Sequence, residues 1–409
     1  MKLSSLLATA VLLSWAAPTP AQEQAPKTII IAAHRHDGDN AQSVAFSPDG
    51  KYVAAGFGGP ANGRFPLKPR GGGIAVWEVE TGRQLHYWEE YGDIIKLEFS
   101  RDGESLAYGR VFTPGDSVED NVVVVRNVKN GKVSKRWSEN RNRYQFAMSR
   151  SAQEILVGRD VYELKDFTRV NEVGDLEPRC LAFAMDGRSL AMVHSVKVPI
   201  VDKDGVERKQ VHSLVMKSLA VFDAVRLEKQ RSIETSDVAS CYALALAPDG
   251  KYLATGHNAG VARIWDTANL AEIRKIETGF RGHVLPFFAP DGKALAVATQ
   301  PTRSPRWKYD ETEPSGFKID HNKPDATSEV LFLETTGWNE TARWQFEDGS
   351  FRTYYYRHGK GDLHPEYNPG RFVFSPDGKH LLAGCSGVVL VEASTGKFVQ
   401  KFEVQRDRP

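Results

Sequence analysis

The chain is poor in cysteine, carries no excess of charge of either sign, and has no long apolar run beyond its N-terminal segment. Its 409 residues include only Cys180, Cys241 and Cys385. An odd number without Cys-x-x-Cys spacing excludes a disulfide framework and a cysteine-based zinc site. Each cysteine lies in an apolar, strand-like run, so buried free thiols are expected, with a Cys180–Cys241 bridge as the alternative. Lys plus Arg is 53 against Asp plus Glu 52. No global field therefore draws the chain to nucleic acid or to an acidic membrane. The 11 histidines are scattered, without HExxH or other metal spacing. A GxSxG elbow, a P-loop and a CxxCH haem site are also missing. Asp202-Lys203-Asp204-Gly205 starts like a calcium loop but lacks the later ligands, and reads better as a hairpin turn. No catalytic centre, metal or cofactor is expected.

What is present begins at the N-terminus. Lys2 precedes an uncharged apolar run from Leu3 to Ala17, and small residues stand at Thr19 and Ala21. That is the layout of a secretory signal peptide, residues 1–21, with cleavage after Ala21. The run is shorter than the roughly 20 residues of a membrane span. Loss of Lys2 takes the formal charge from +1 to 0. An exported, soluble mature protein follows as the expectation, periplasmic or extracellular.

The remainder is repetitive. VAFSPDGKYVAAG at 44–56 returns as LEFSRDGESLAYG (97–109), LAFAMDGRSLAMV (181–193), LALAPDGKYLATG (244–256), FFAPDGKALAVA (287–298) and FVFSPDGKHLLAG (372–384). A degraded copy, FAMSRSAQEILVG, occupies 146–158. Asp49, Asp102, Ser151, Asp186, Asp249, Asp291 and Asp377 hold the equivalent place. Each unit carries a second mark downstream: Trp77-Glu78, Arg126-Asn127, Tyr162-Glu163, Phe222-Asp223, Trp265-Asp266, Leu333-Glu334 or Val391-Glu392. Asp-Gly, Thr-Gly and Asn-Gly supply the positive φ that tight hairpins demand, and the flanking runs are short, β-branched or Ala-rich. Each unit is thus a meander of four antiparallel strands, a to d. One such sheet exposes two faces and two edges, whereas seven packed radially cover one another. The prediction is all-β: one seven-bladed β-propeller of four-stranded antiparallel blades over residues 22–409. Either KTIIIAA (27–33) or KFVQKFEV (397–404) could complete the seventh blade.

The pattern resembles the WD-repeat propeller family, most plainly at LATGHNAGVARIWDTANL (253–270) with its Trp265-Asp266 dipeptide. The similarity covers nearly all of residues 28–405. The turns reading SPDGK are equally common in secreted bacterial propellers, a type this chain resembles. The Gly-His dipeptide that opens the family's repeats is represented by Gly282-His283, and the buried network joining that His to the Trp is expected to be mostly absent.

In a meander the a–b and c–d turns fall on one face of the disc, and the b–c and d–a connections on the other. The first class is short throughout. The insertions, 56–73, 110–120, 195–217, 299–328 and 338–370, fall in the second, the last being part strand d and part long loop. Binding residues collect on loops held by a rigid scaffold, so the insertion face is the expected binding face. Arg143, Arg179, Arg281 and Arg371 enter their a strands there, with His283 beside Arg281. Converging guanidiniums suit an acidic peptide or another carboxylate. Trp307 in one insertion and Tyr354, Tyr355, Tyr356 and Arg357 in another have the composition of an interface hot spot. Trp338 and Trp344 belong to the same aromatic segment; the competing expectation is that half of its rings pack between blades. The functional expectation is a monomeric, non-catalytic scaffold for a protein or peptide partner, without nucleic-acid binding or membrane insertion. The alternative is a propeller enzyme of lactonase or quinoprotein-like type, with its site at the channel mouth.

Overall fold

An Asp-Gly turn between two short apolar runs returns the chain beside itself, and repeated returns build one antiparallel sheet. In the computed structural model seven such sheets form, six of them with an Asp-Gly turn between strands a and b. The structure describes residues 27–31, 41–58, 71–91, 93–111, 122–138, 145–149, 153–173, 178–201, 207–235, 240–257, 260–279, 282–301, 307–309, 317–319, 328–346, 355–357, 363–365, 372–385 and 387–405.

Blade 1 has strands Ala41–Phe46, Tyr52–Phe57, Gly71–Glu78 and Gln84–Tyr91. Blade 2 has Asp93–Phe99, Ser105–Val111, Val122–Asn127 and Val133–Ser138. Blade 3 has Phe146–Met148, Glu154–Val157, Asp160–Glu163 and Arg169–Glu172. Blade 4 has Cys180–Phe183, Ser189–Val201, Glu207–Asp223 and Lys229–Glu234. Blade 5 has Cys241–Leu246, Tyr252–His257, Val261–Asp266 and Glu272–Glu277. Blade 6 has Gly282–Phe288, Ala294–Pro301, Ser328–Glu334 and Glu340–Phe346. Blade 7 has Phe372–Phe374, His380–Cys385, Gly387–Glu392 and Phe398–Phe402. Within each blade the order is a-b-c-d. The a strands of successive blades touch one another, which puts them at the axis. No α-helix occurs among the described residues.

The core is seven layers, one between each pair of neighbouring blades. Because a neighbour covers each face, the b strands do not alternate apolar with polar. Val53, Ala54 and Ala55 are all fully buried, and small side chains keep the blades close. The outermost strands are polar, as in the wholly exposed Arg169–Glu172.

The repeated turn is structural. Asp49 accepts hydrogen bonds from Ser47 Oγ (2.7 Å) and Lys51 N (3.0 Å), and Gly50 adopts φ 72°. Asp102 and Asp377 repeat the arrangement. The turns also pack in sequence around the plain face. A side chain at Gly50 would touch Pro376 of blade 7, and those of the glycines in blades 2, 6 and 7 would touch the turn prolines of blades 1, 5 and 6.

The c–d turns follow one rule with mixed residues. In every blade the fourth residue after the acidic or amide mark donates its N–H back to that mark's carbonyl. Its φ is positive in all seven, although only blades 1, 2 and 7 use glycine; blades 3 to 6 use Phe167, Leu227, Leu270 and Trp338. Leu270 and Trp338 are buried, so packing offsets the backbone cost of about 1–2 kcal/mol.

The ring closes through the C-terminus: Phe398–Phe402 is strand d of blade 7. The following residues latch onto blade 1, where Trp77 Nε1 donates to Glu403 O (3.0 Å). Gln84 makes two bonds to the backbone of Gln405. Lys27–Ile31 instead pairs in parallel with Glu340–Phe346, as a fifth strand on blade 6.

The insertions are narrower than the sequence suggested. Gly56, Phe57 and Gly71–Gly73 lie in blade 1 strands, Arg110 and Val111 in strand b of blade 2, and Thr299–Pro301 in strand b of blade 6. Glu340–Phe346 is the strand d expected within 338–370, and Trp338 and Trp344 are core residues, in line with the packing alternative. The 195–217 insertion is largely a two-stranded ribbon. Its strands pair only with each other beyond Val193 and Ser218, as far as Val201 and Glu207. At about 3.3 Å per residue, Ser195–Val201 carries the ribbon roughly 20 Å further.

Candidate functional site

Strand a runs from the insertion face towards the plain face, so its first residues ring the channel mouth on the insertion side. Three of them stack across consecutive blades. Arg179 precedes strand a of blade 4, Tyr242 is second in strand a of blade 5, and His283 is second in strand a of blade 6. The Arg179 guanidinium carbon lies 5.8 Å from the Tyr242 ring centre. The Tyr242 and His283 rings are 4.1 Å apart, inclined at 55°.

His283 is only 2% exposed, and neither ring nitrogen has a hydrogen-bond partner. Burial, and then the Arg179 charge, push its pKa down to about 4. The imidazole is therefore neutral near pH 7. A guanidinium held over an aromatic ring can pair a carboxylate bidentately while its face stays covered.

The structure thus joins Arg179 to His283, and does so through Tyr242, which the sequence reading passed over. Its signal was an aromatic at a strand entry flanked by small residues, Ser240-Cys241-Tyr242-Ala243. Arg143, Arg281, Arg371 and Tyr354 lie outside the described residues. Trp307 falls in a small hairpin, Trp307–Tyr309 with Phe317–Ile319, opposite Ile319. Tyr355, Tyr356 and Arg357 form a second one, facing Pro365, His364 and Leu363. These residues belong to two separate sheets.

The channel wall of blades 2 and 3 is stitched by charge. Lys96 of blade 2 donates to Phe146 O of blade 3 (2.6 Å) and pairs with Glu98 (3.0 Å). Glu98 in turn accepts from Met148 N (2.7 Å). Among the described residues no three His, Cys, Asp or Glu side chains converge as a metal site, and no helix is long and apolar enough to cross a membrane.

Two buried polar clusters went unread in the sequence. In blade 5, Trp265 Nε1 donates to Thr255 Oγ1 (2.9 Å), which also bonds His257 Nε2 (2.8 Å). A His-to-Trp network therefore exists, supplied by His257 on strand b rather than by His283. In blade 2, Arg126 stands in the Trp place. Its Nε donates to Tyr108 Oη (3.0 Å) and its Nη2 to Glu90 Oε1 (2.6 Å). Tyr108 Oη donates to the same carboxylate (2.5 Å), and Arg110 Nη1 reaches Glu90 Oε2 (2.8 Å). Burial opposes ionisation of Glu90, but the bonds from Tyr108 and Arg126 and the two positive charges hold its pKa below the usual range.

The family model described as WD domain, G-beta repeat matches residues 28–59 and 228–266. The second match runs from strand d of blade 4 through strand c of blade 5 and ends on Trp265-Asp266, so it contains the Thr255–His257–Trp265 network. The chain is a seven-bladed propeller that carries WD-repeat-like segments. No curated protein matches it. The first match starts at Thr28, in the strand just ahead of blade 1. In a d-a-b-c repeat that strand occupies the sequence place of strand d, yet in this propeller it lies on the edge of blade 6.

Proposed function

We propose that this propeller is an exported, non-catalytic scaffold of the secreted bacterial type, holding a protein or peptide on its insertion-bearing face. One observation carries the reading: the two faces are unequal. The plain face is a ring of tight turns in which Asp49, Asp102 and Asp377 bond within their own turns and the turn glycines of blades 1, 2, 6 and 7 lie beside the turn proline of a neighbouring blade. The ribbon of blade 4 and the two small hairpins lie in connections of the opposite class, where Arg179, Tyr242 and His283 also stand. Arg179 over Tyr242 suits an acidic group of the partner at the mouth. The N-terminal signal-peptide pattern supports export to the periplasm or beyond.

Affinity capture from the exported fraction tests this, using the intact chain and a variant shortened within 302–327 and 347–371. These limits leave every strand of blades 6 and 7 whole. A specific partner should be retained by the intact chain and lost by the shortened one, and weakened by Arg179→Ala. Equal capture by all three proteins would sink the reading. A stoichiometric metal in the purified protein would favour the enzymatic alternative.

A further inference from the structure

Cys180 and Cys241 are the first residues of strand a in blades 4 and 5. Those strands touch at the axis, and both thiols sit in the hydrophobic layer between the two blades. Cys180 Sγ lies 3.7 Å from Cys241 O, and Cys241 Sγ lies 3.3 Å from Ala243 O. The Cys180 thiol is near enough to the Cys241 thiol to help push its pKa up, after burial. Two thiols from chain positions 61 residues apart thus meet at one blade junction.

We propose that Cys180 and Cys241 are a covalent modification site: a cross-blade disulfide formed when the chain folds under oxidising conditions. The oxidant is a small disulfide such as oxidised glutathione. One cysteine thiolate attacks a glutathione sulfur, forming a mixed disulfide and expelling one glutathione thiolate. The second cysteine thiolate then attacks the protein-bound sulfur and expels the other. The two cysteine protons end on the two released thiols, and the two electrons on the reduced glutathione.

The structure also fixes when this happens. The cysteines are 3% and 1% exposed, which excludes the oxidant from the finished propeller. Burial further pushes the Cys241 thiol up, against the Arg179 charge that favours its thiolate. Exchange therefore belongs to folding, before blade 5 closes on blade 4. Once made, the bridge is shielded from reductants by the same packing. It would close a long loop, the case in which a cross-link restricts the unfolded chain most. Arg179 and Tyr242 adjoin the two cysteines in sequence, so the bridge would also fix the spacing of the channel mouth. None of this depends on the partner proposed above.

The test refolds the full chain from denaturant in a glutathione redox buffer and, in parallel, with excess reductant. Free thiols are then alkylated, and disulfide-linked peptides are mapped by mass spectrometry. Oxidative refolding should leave a monomer with Cys385 alkylated, a linked 180–241 peptide pair, and a higher denaturant midpoint than the reduced protein. Cys180→Ser and Cys241→Ser should each abolish the link and the midpoint difference, while Cys385→Ser should preserve both. If the serine variants fail to fold, the reduced wild type supplies the unbridged reference. Three alkylated thiols after oxidative refolding, or a bridge through Cys385, would overturn the proposal.

Discussion

Blades 2 and 5 answer one structural demand in different ways. Arg126 and Trp265 hold the same place on strand c, and each donates an N–H to a hydroxyl on strand b, that of Tyr108 or of Thr255. The registers agree: Arg126 pairs with Leu106 and Trp265 with Leu253, two residues before the hydroxyl in both blades. In these two blades a broad side chain with a nitrogen donor fills the slot, and Trp-Asp is one way to supply it; Tyr162, Phe222, Leu333 and Val391 fill it in blades 3, 4, 6 and 7 without one. The costs differ. Trp265 brings apolar surface and one donor, whereas Arg126 brings a charge that must be matched. Glu90 of blade 1 matches it and Arg110 together.

The largest effect should come from breaking the charged version. Glu90→Ala leaves Arg110 and Arg126 in the blade 1–2 layer without their carboxylate. A loss of about 3–5 kcal/mol is expected in denaturant unfolding. The lowered Glu90 pKa also sets a pH dependence. Its contribution is present above the unfolded value near 4.5 and disappears as pH falls through the lower folded value. A Glu90→Gln protein should therefore be weaker than wild type at neutral pH and lose less on acidification. An unchanged acid limb would count against the network.

The channel walls sharpen the contrast in the other direction. Blade 2 places Lys96 there fully engaged, whereas Tyr242 of blade 5 leans on His283, whose nitrogens are unpartnered. With a folded pKa of about 4 against the usual 6.5, His283 binds its proton more readily in the unfolded chain. Stability should accordingly fall as pH drops from about 6.5 to about 4, by about 3 kcal/mol in all. His283→Phe should flatten that limb without loss at pH 7, because no hydrogen bond is removed. A variant as acid-sensitive as wild type would refute the assignment.

Blade 5's neutral network predicts a smaller change. Thr255→Val keeps the shape but leaves Trp265 Nε1 and His257 Nε2 buried without this partner. The expected cost is about 1–3 kcal/mol by thermal or denaturant unfolding. The corresponding Tyr108→Phe in blade 2 should cost no less, since it also removes a donor from Glu90.

These two clusters mark where the sequence stopped being legible. Blades, strands and a–b turns could be read because short apolar runs around a tight turn are local signals, repeated seven times and marked by Asp-Gly in six. Glu90 gave no such signal. It lies in YWEEY (87–91), a polar outer strand, and its partners are 18 to 36 residues away. Arg126 was visible at the Trp place, but its meaning depended on the neighbouring blade. His257 and His283 exchanged roles for the same reason, since burial and partners come from packing between blades. The closing strand could not be chosen because 27–33 and 397–404 are both plausible edge strands, and the latch at Trp77 and Gln84 is long-range. Of the proposed binding residues, only Arg179 and His283 could be followed to their side-chain contacts.

The smallest prediction concerns the c–d turns, where the same two blades differ again. Position 131 of blade 2 is glycine at φ 69°, and position 270 of blade 5 is leucine at φ 56°. Glycine is required in blade 2 because a Cβ there would stand 2.7 Å from Trp88 Nε1. Leucine is tolerated in blade 5 because its side chain fills the blade 4–5 layer. Leu270→Gly should relieve roughly 1 kcal/mol of backbone cost and forfeit about 2–3 kcal/mol of burial, for a net loss of about 1–2 kcal/mol. Leu270→Ala keeps the unfavourable φ and loses most of the burial, so it should be the less stable of the two. If the alanine protein were the more stable, positive φ at this turn would not be the dominant backbone constraint.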